Sequence, residues 1–215
     1  MPKPIITVDD IRTAQPGSVL SVPPEAIVTD LAREVAQAHR ISLVTSDNFT
    51  STAAAGSGRI IAIGADHGPS FAMKETLKPY VEELGYTVLD CGTYTPDAVD
   101  YPDIAYAVAK QVANGAVWRG VIIDGAGIGS CMAANKVPGI RAALCYNEAM
   151  ARNSREHNDA NILTMGAGMI ELNLAKQIMA TWLKTNFGGG RHQRRVNKIV
   201  EIEQRFLKGS HDHPG

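Results

Sequence analysis

Several things are scarce in this sequence, and each scarcity removes a class of function. There are three cysteines, Cys91, Cys131 and Cys145, and no two form a CxxC pair, so neither a zinc site nor a disulfide framework is implied. All three lie in or beside apolar stretches, which suits a reducing cytoplasm. Charge of one sign is not in excess: 21 Lys and Arg balance 22 Asp and Glu, for a net charge of −1. That balance points away from a nucleic-acid surface or an anionic-membrane binder. No apolar run approaches the roughly 18 residues of a membrane span. The opening "MPKPIITVDD" has no secretory hydrophobic region. Internal repeats are absent as well. What is present is 215 residues of 45% hydrophobic content, enough for one ordinary globular domain and an extra segment.

The extra segment is marked by composition. Residues 46–58, "SDNFTSTAAAGSG", have little apolar surface to bury and read as a flexible linker. Residues 1–45 before it form an N-terminal extension. Within them "PPEAIVTDLAREVAQAHRI" predicts one amphipathic helix with Pro24 in its first turn. Ile27, Leu31, Val35 and Ala38 make its apolar stripe. Such a stripe must lie on something, either its own domain or another protein.

Residues 59–207 alternate strands with helices. Strands are expected at "RIIAIGA", "TVLDC", "GVIID", "IRAALCY" and "NILTMGA". Helices are expected at residues 71–84, 103–115, 130–136, 147–157 and 172–186, with a last one from the basic "GGGRHQRRVNKI" to Leu207. Residues 208–215 read as a disordered tail. Repeated β-α units with apolar strands imply a parallel sheet covered on both faces. Ligands on such sheets bind at the carboxyl ends of the strands.

That rule selects four groups. Asp66 and His67 follow the first strand. Asp124 follows the third and leads into Gly125, Gly127 and Gly129. His157, Asn158 and Asp159 precede the fifth. Arg191 and Arg195, four apart, open the last helix. The "GAGIG" turn brings backbone N–H groups close to a ligand and suits an anion. It is not a dinucleotide loop, because Ser130 stands where G-x-G-x-x-G needs its third glycine. Arginines that converge in this way suit a phosphate. His157 also has a plain reading as a helix cap, and the arginines have one as a solvated face. The set suggests proton transfer next to a carbonyl of a phosphorylated small molecule. No metal or cofactor is signalled; the histidines of the "HDHPG" terminus read as a frayed tail.

Residues 59–207 resemble the type B ribose-5-phosphate isomerases and the galactose-6-phosphate isomerase subunits. The matching stretches are "IAIGADH", "LKPYVEELGYTVLDCGTY", "VDYPDIA", "GIGSCMAANKVPGIRAALC", "REHNDANIL" and "GGRHQRRVNKI". The resemblance implies a Rossmann-like, three-layer α/β/α sandwich with a mostly parallel sheet. It also implies a homodimer or dimer of dimers with shared active sites. By position, His67 helps open the sugar ring or contacts the phosphate, and Asp66 and Tyr101 meet the substrate. His157 is the ring-opening acid/base and Asn158 a sugar-hydroxyl ligand. Arg191 and Arg195 bind the phosphate. Gly125, Gly127 and Gly129 hold the developing enediolate.

Three departures from the family pattern stand out. Asp124 takes the place of a catalytic cysteine that many members carry, or of a later loop glutamate where this chain has Ser130. Ala126 replaces a loop threonine. Gly168 replaces a common arginine. Asp124 is thus read as the general base, its apolar strand neighbours raising its basicity. The bland reading makes it a cap of the turn. The implied function is aldose–ketose isomerisation of a phosphorylated sugar, ribose 5-phosphate/ribulose 5-phosphate first. The alternatives are another four- to six-carbon sugar phosphate or a non-catalytic assembly subunit. The stretch "VTDLAREVAQAHRI" faintly resembles segments of bacterial microcompartment proteins. That implies docking to shell proteins and a place inside a microcompartment within the cytoplasm.

Overall fold

A computed structural model describes residues 5–12, 19–22, 25–45 and 59–209. The expected linker, residues 46–58, and residues 210–215 of the expected tail lie outside them. The chain divides into two compact units, residues 1–59 and 60–215.

Among the described residues the first unit holds six short elements: β1 (Ile5–Ile6), α1 (Val8–Arg12), β2 (Val19–Val22), β3 (Ile27–Val28), α2 (Asp30–Ala38) and β4 (Ser42–Thr45). Parallel pairs form between β1 and β3 and between β2 and β4. Its core is Ile6, Ile11, Val22, Ala32, Ala36 and Ile41. The single helix expected here is corrected on two points. It begins only at Asp30, because Thr29 accepts the Ala32 N–H at 3.2 Å and caps it. Ile27 lies in a strand. The buried face is also different: Ala32 and Ala36 point inward, while Ile27 and Leu31 of the expected stripe are exposed.

The second unit runs β5 (Ile60–Ala65), α3 (Pro69–Glu83), β6 (Thr87–Asp90), α4 (Tyr101–Ala113), β7 (Arg119–Asp124), α5 (Ile128–Ala134), β8 (Ala142–Leu144), α6 (Glu148–Glu156), β9 (Ile162–Gly166), α7 (Leu172–Lys184) and α8 (Arg191–Gly209). The five strands form one parallel sheet in the order β6-β5-β7-β9-β8. Alternate strand residues serve two separate cores. Ile61, Ile63, Val121, Ile123 and Leu163 pack with α3 and α7, whose Trp182 is fully buried. Ala62, Ile122 and Ile162 pack with Ala105, Val108 and Ala109 of α4 and Ala134 of α5. The result is the three-layer, Rossmann-like sandwich. Two element ends differ from expectation. Helix α5 starts at Ile128, inside the glycine run, and α8 continues to Gly209.

Candidate active site

The sheet order places the site. From β5 the chain steps outward to β6 on one side and then returns to β7 on the other. The strand order reverses between β5 and β7, and the crevice beyond their carboxyl ends is where such sheets hold ligands. Asp66 follows β5 directly, and its N–H donates to the Ile123 carbonyl at 3.1 Å. Asp124 is the last residue of β7. The two acids therefore stand side by side.

Asp124 is almost fully buried. Its Oδ1 accepts N–H groups from Ala126 at 2.9 Å and from Gly127, and its Oδ2 accepts the Ser130 N–H at 2.9 Å. These are N–H groups at the start of α5, where a helix leaves its first donors without partners. Two expectations change here. Polar N–H donors, more than apolar strand neighbours, surround this carboxylate. The loop N–H groups of Ala126 and Gly127 are turned onto Asp124 and are not left open toward a ligand.

The loop is held from several sides. The Tyr146 hydroxyl donates to the Ala126 carbonyl at 2.5 Å, and the Thr164 hydroxyl to the Gly127 carbonyl at 2.9 Å. The Ala167 and Gly168 N–H groups donate to the carbonyls of Asp124 and Gly125, at 2.8 and 2.9 Å. Gly127 has φ 75° and lies against Leu144, so a side chain there would be both strained and blocked. Gly129 admits the Tyr101 ring: a Cβ at 129 would sit 2.6 Å from it. Gly168, in place of an arginine, lets the 166–168 turn close on the Gly125 carbonyl.

Asp66 differs from Asp124. It is half-buried, and its buried Oδ1 has no hydrogen-bond partner among the described residues. Burial pushes its carboxyl above the ordinary range; the Ser70 hydroxyl and His67 oppose this, and the Asp124 charge adds to it. His67 itself is exposed, just ahead of α3.

The remaining residues gather elsewhere. His157 closes α6, and its Nδ1 lies 2.9 Å from the Asn153 amide nitrogen. Its ring stacks on His192 at 4.2 Å between centroids and 6° between planes. The Gly188 N–H donates to the Glu156 carbonyl at 2.8 Å and brings the basic segment to this point. Arg191 opens α8 with its Nε 3.4 Å from the His192 ring; Arg191 and Arg195 are both exposed, one turn apart. Desolvation, then His157, Arg191 and Arg195, pushes His192 below the ordinary histidine range. Asn158 borders a cleft of about 460 Å³ that also touches Leu144, Asn147 and Asn153. Among the described residues, no hydrogen bond or ion pair joins this group to Asp66 or Asp124.

Sequence reasoning missed the residues that brace the site. Tyr146 and Thr164 hold the loop. Asp159, placed by the sequence at the strand end, has a bracing role that was not expected: it takes a left-handed φ of 49° and clamps Arg141 at 2.8 Å and the buried Arg155 at 2.9 Å. A hydroxyl in the apolar strand "ILTMG" was the available signal for Thr164, since a buried hydroxyl needs a partner. No such signal marks the arginines, whose partners are distant in the chain. Among the described residues no group of three or more His, Cys, Asp or Glu side chains is arranged to hold a metal, and no helix is long and apolar enough to cross a membrane.

Fold and site define an α/β protein with polar groups gathered at the switch point of a parallel sheet. The chain belongs to the ribose/galactose isomerase family, which it matches over residues 61–199. It is similar to ribose-5-phosphate isomerase B of Escherichia coli (strain K12), 45% identical over 145 residues that cover 67% of this chain and 97% of that protein. It is also similar to D-erythrulose-4-phosphate isomerase of Pectobacterium atrosepticum, 41% identical over 145 residues, 66% of this chain and 94% of that one. The solved ribose-5-phosphate isomerase B of Clostridium thermocellum superimposes with a TM-score of 0.67 at 51% identity, covering 68% of this chain and 99% of its own. The whole N-terminal unit, residues 1–59, precedes the matched region.

Proposed function

We propose that this chain is an aldose–ketose isomerase of a phosphorylated sugar, with ribose 5-phosphate and ribulose 5-phosphate as the first pair to test. The observation that carries the reading is the Asp124 carboxylate at the switch point. Its Oδ2 accepts one N–H and so keeps a lone pair for a substrate proton. Asp124 moves the proton between C2 and C1 through an enediolate. Carboxylates do this in other isomerases. His67 and His157 open the sugar ring. Asp66, Tyr101 and Asn158 bind the hydroxyls, the loop of Gly125, Gly127 and Gly129 shapes the floor, and Arg191 and Arg195 take the phosphate.

In this reading the enzyme is a homodimer, or a dimer of dimers, in which one chain's His157–Arg191 group completes its partner's Asp124 site. Two features support that. The two groups are not bonded to one another within the chain, and α8 exposes Ile199, Ile202 and Phe206. The N-terminal unit is the docking segment for shell proteins of a microcompartment, supported by exposed Ile27 and Leu31. The substrate lies between four and six carbons, with Ala126 and Gly168 as the positions that set it apart.

A turnover panel of four-, five- and six-carbon aldose phosphates tests the reading. At least one is expected to isomerise, and its unphosphorylated sugar is expected to react poorly. No turnover of any member, in a protein whose melting temperature those same ligands do not raise, would contradict it.

A further inference from the structure

The isomerisation moves two protons, one between carbons and one between oxygens. Asp124 accounts for the first. The second needs a donor at O1 and an acceptor at O2. The loop is the obvious place to look, yet its Ala126, Gly127 and Ser130 N–H groups already donate to Asp124. Ala126 carries no hydroxyl, and the Thr164 hydroxyl is committed to the Gly127 carbonyl. Other backbone N–H groups of the loop can stabilise charge but cannot carry a proton, so the proton that moves between O1 and O2 needs an ionisable side chain from another element.

Asp66 is that element's side chain. It stands on the neighbouring strand end, across from Asp124, with a buried Oδ1 that has no partner among the described residues. Burial and, less strongly, the Asp124 charge raise the Asp66 carboxyl against the Ser70 hydroxyl and His67, so Asp66 is suited to hold a proton. Three backbone N–H groups converge on Asp124; on Asp66 Oδ1 there are none. A pair of acids whose surroundings differ in this way divides into an acid and a base. The other groups facing Asp66 are His67 in its own loop and the Ser70 hydroxyl of α3.

We propose that Asp66 is the second catalytic acid/base of this reaction, carrying the proton between O1 and O2 while Asp124 carries the one between C2 and C1. In the aldose-to-ketose direction Asp124 takes the C2 proton. The C2–H electron pair becomes the C1–C2 double bond, and the C1 carbonyl π pair takes the proton of neutral Asp66. Asp66 is then a carboxylate. It accepts the O2 proton, the C2–O double bond forms, and C1 takes the proton held on Asp124. Both side chains return to their starting states, with no other reactant. The proposal rests on the isomerase reading above.

Asp66→Asn keeps the shape and removes the transferable proton, so turnover is expected to fall about 10²- to 10⁴-fold. Burial of Asp66 raises its carboxyl, so kcat/KM of the parent falls at the basic side as this acid ionises. That limb is expected to vanish in Asp66→Asn and to persist, displaced, in Asp66→Glu. Circular dichroism and thermal unfolding confirm that each variant is folded; if Asp66→Asn is not, the displacement of the limb in Asp66→Glu decides. A folded Asp66→Asn that loses less than about tenfold, or that keeps an unmoved basic limb, overturns the proposal. Failure of the isomerase reading looks different, because then the parent itself turns over no sugar phosphate.

Discussion

The N-terminal unit pairs its strands two at a time, Ile5–Ile6 with Ile27–Val28 and Val19–Val22 with Ser42–Thr45. The C-terminal unit joins five strands and covers both faces with helices. The difference in scale sets what each can hold. Two-stranded pairs are marginal alone, and here they share a core of small and branched residues with one alanine-lined helix. In the larger unit there is room to bury charge with its partners. Lys74 reaches Asp90 at 2.7 Å and the Thr93 carbonyl at 2.6 Å, and Arg119 reaches the carbonyls that end α7. A buried Asp124 belongs to the same pattern. Among the residues of the N-terminal unit whose side chains are described, no charged one is buried. The larger unit supplies the framework for chemistry that needs a fixed, nearly dry carboxylate.

The largest effect is expected from Trp182→Ala. Trp182 is fully buried among α7 and the sheet, and its truncation is expected to cost about 3 to 5 kcal/mol, read by denaturant unfolding. Activity is lost only with the fold. Next is Arg191→Ala. A charge-assisted hydrogen bond to phosphate contributes roughly 1.5 to 3 kcal/mol, so phosphosugar binding weakens at least about tenfold by calorimetry. Binding of an unphosphorylated sugar is expected to change little; equal losses would assign Arg191 to an interface instead. The smallest effect is expected from removing residues 1–56. Turnover and oligomer mass should match the full chain, because the family match begins at 61. If the truncated protein loses its assembly, the N-terminal unit is part of the enzyme and the contrast fails.

The sheet was legible because its strands are near-continuous apolar runs between glycine-ended helices; "GVIID" and "NILTMGA" announce buried parallel strands. The strand-end rule picked Asp66 and Asp124 as candidates, and the sheet order sets their two strand ends beside one another. What was hidden was direction. Spacing places Gly127 in a turn, but it does not say that its N–H faces Asp124. The helix predicted from Pro24 failed because Thr29, between Ile27 and Leu31, caps the helix at Asp30, and because alanine, not leucine, faces this small core. Asp66 looked like a simple neighbour of His67. Only the sheet order sets it against Asp124, and only the fold leaves its Oδ1 without a partner.

The central claim is that Asp124 moves the carbon-bound proton, and its three N–H contacts make the rival reading, a turn cap alone, concrete. Exchange of the substrate C2 proton with deuterated solvent, followed by proton NMR in Asp124→Asn, separates the two. As general base, Asp124 predicts an exchange rate about 10²- to 10⁴-fold below the parent, with a stable substrate analogue still bound. Asp124→Cys is expected to exchange faster than the Asn variant, since a thiolate is also a base. Exchange at the parent rate in a folded Asp124→Asn, with only a lowered melting temperature, would contradict the claim and leave Asp124 as the cap of α5.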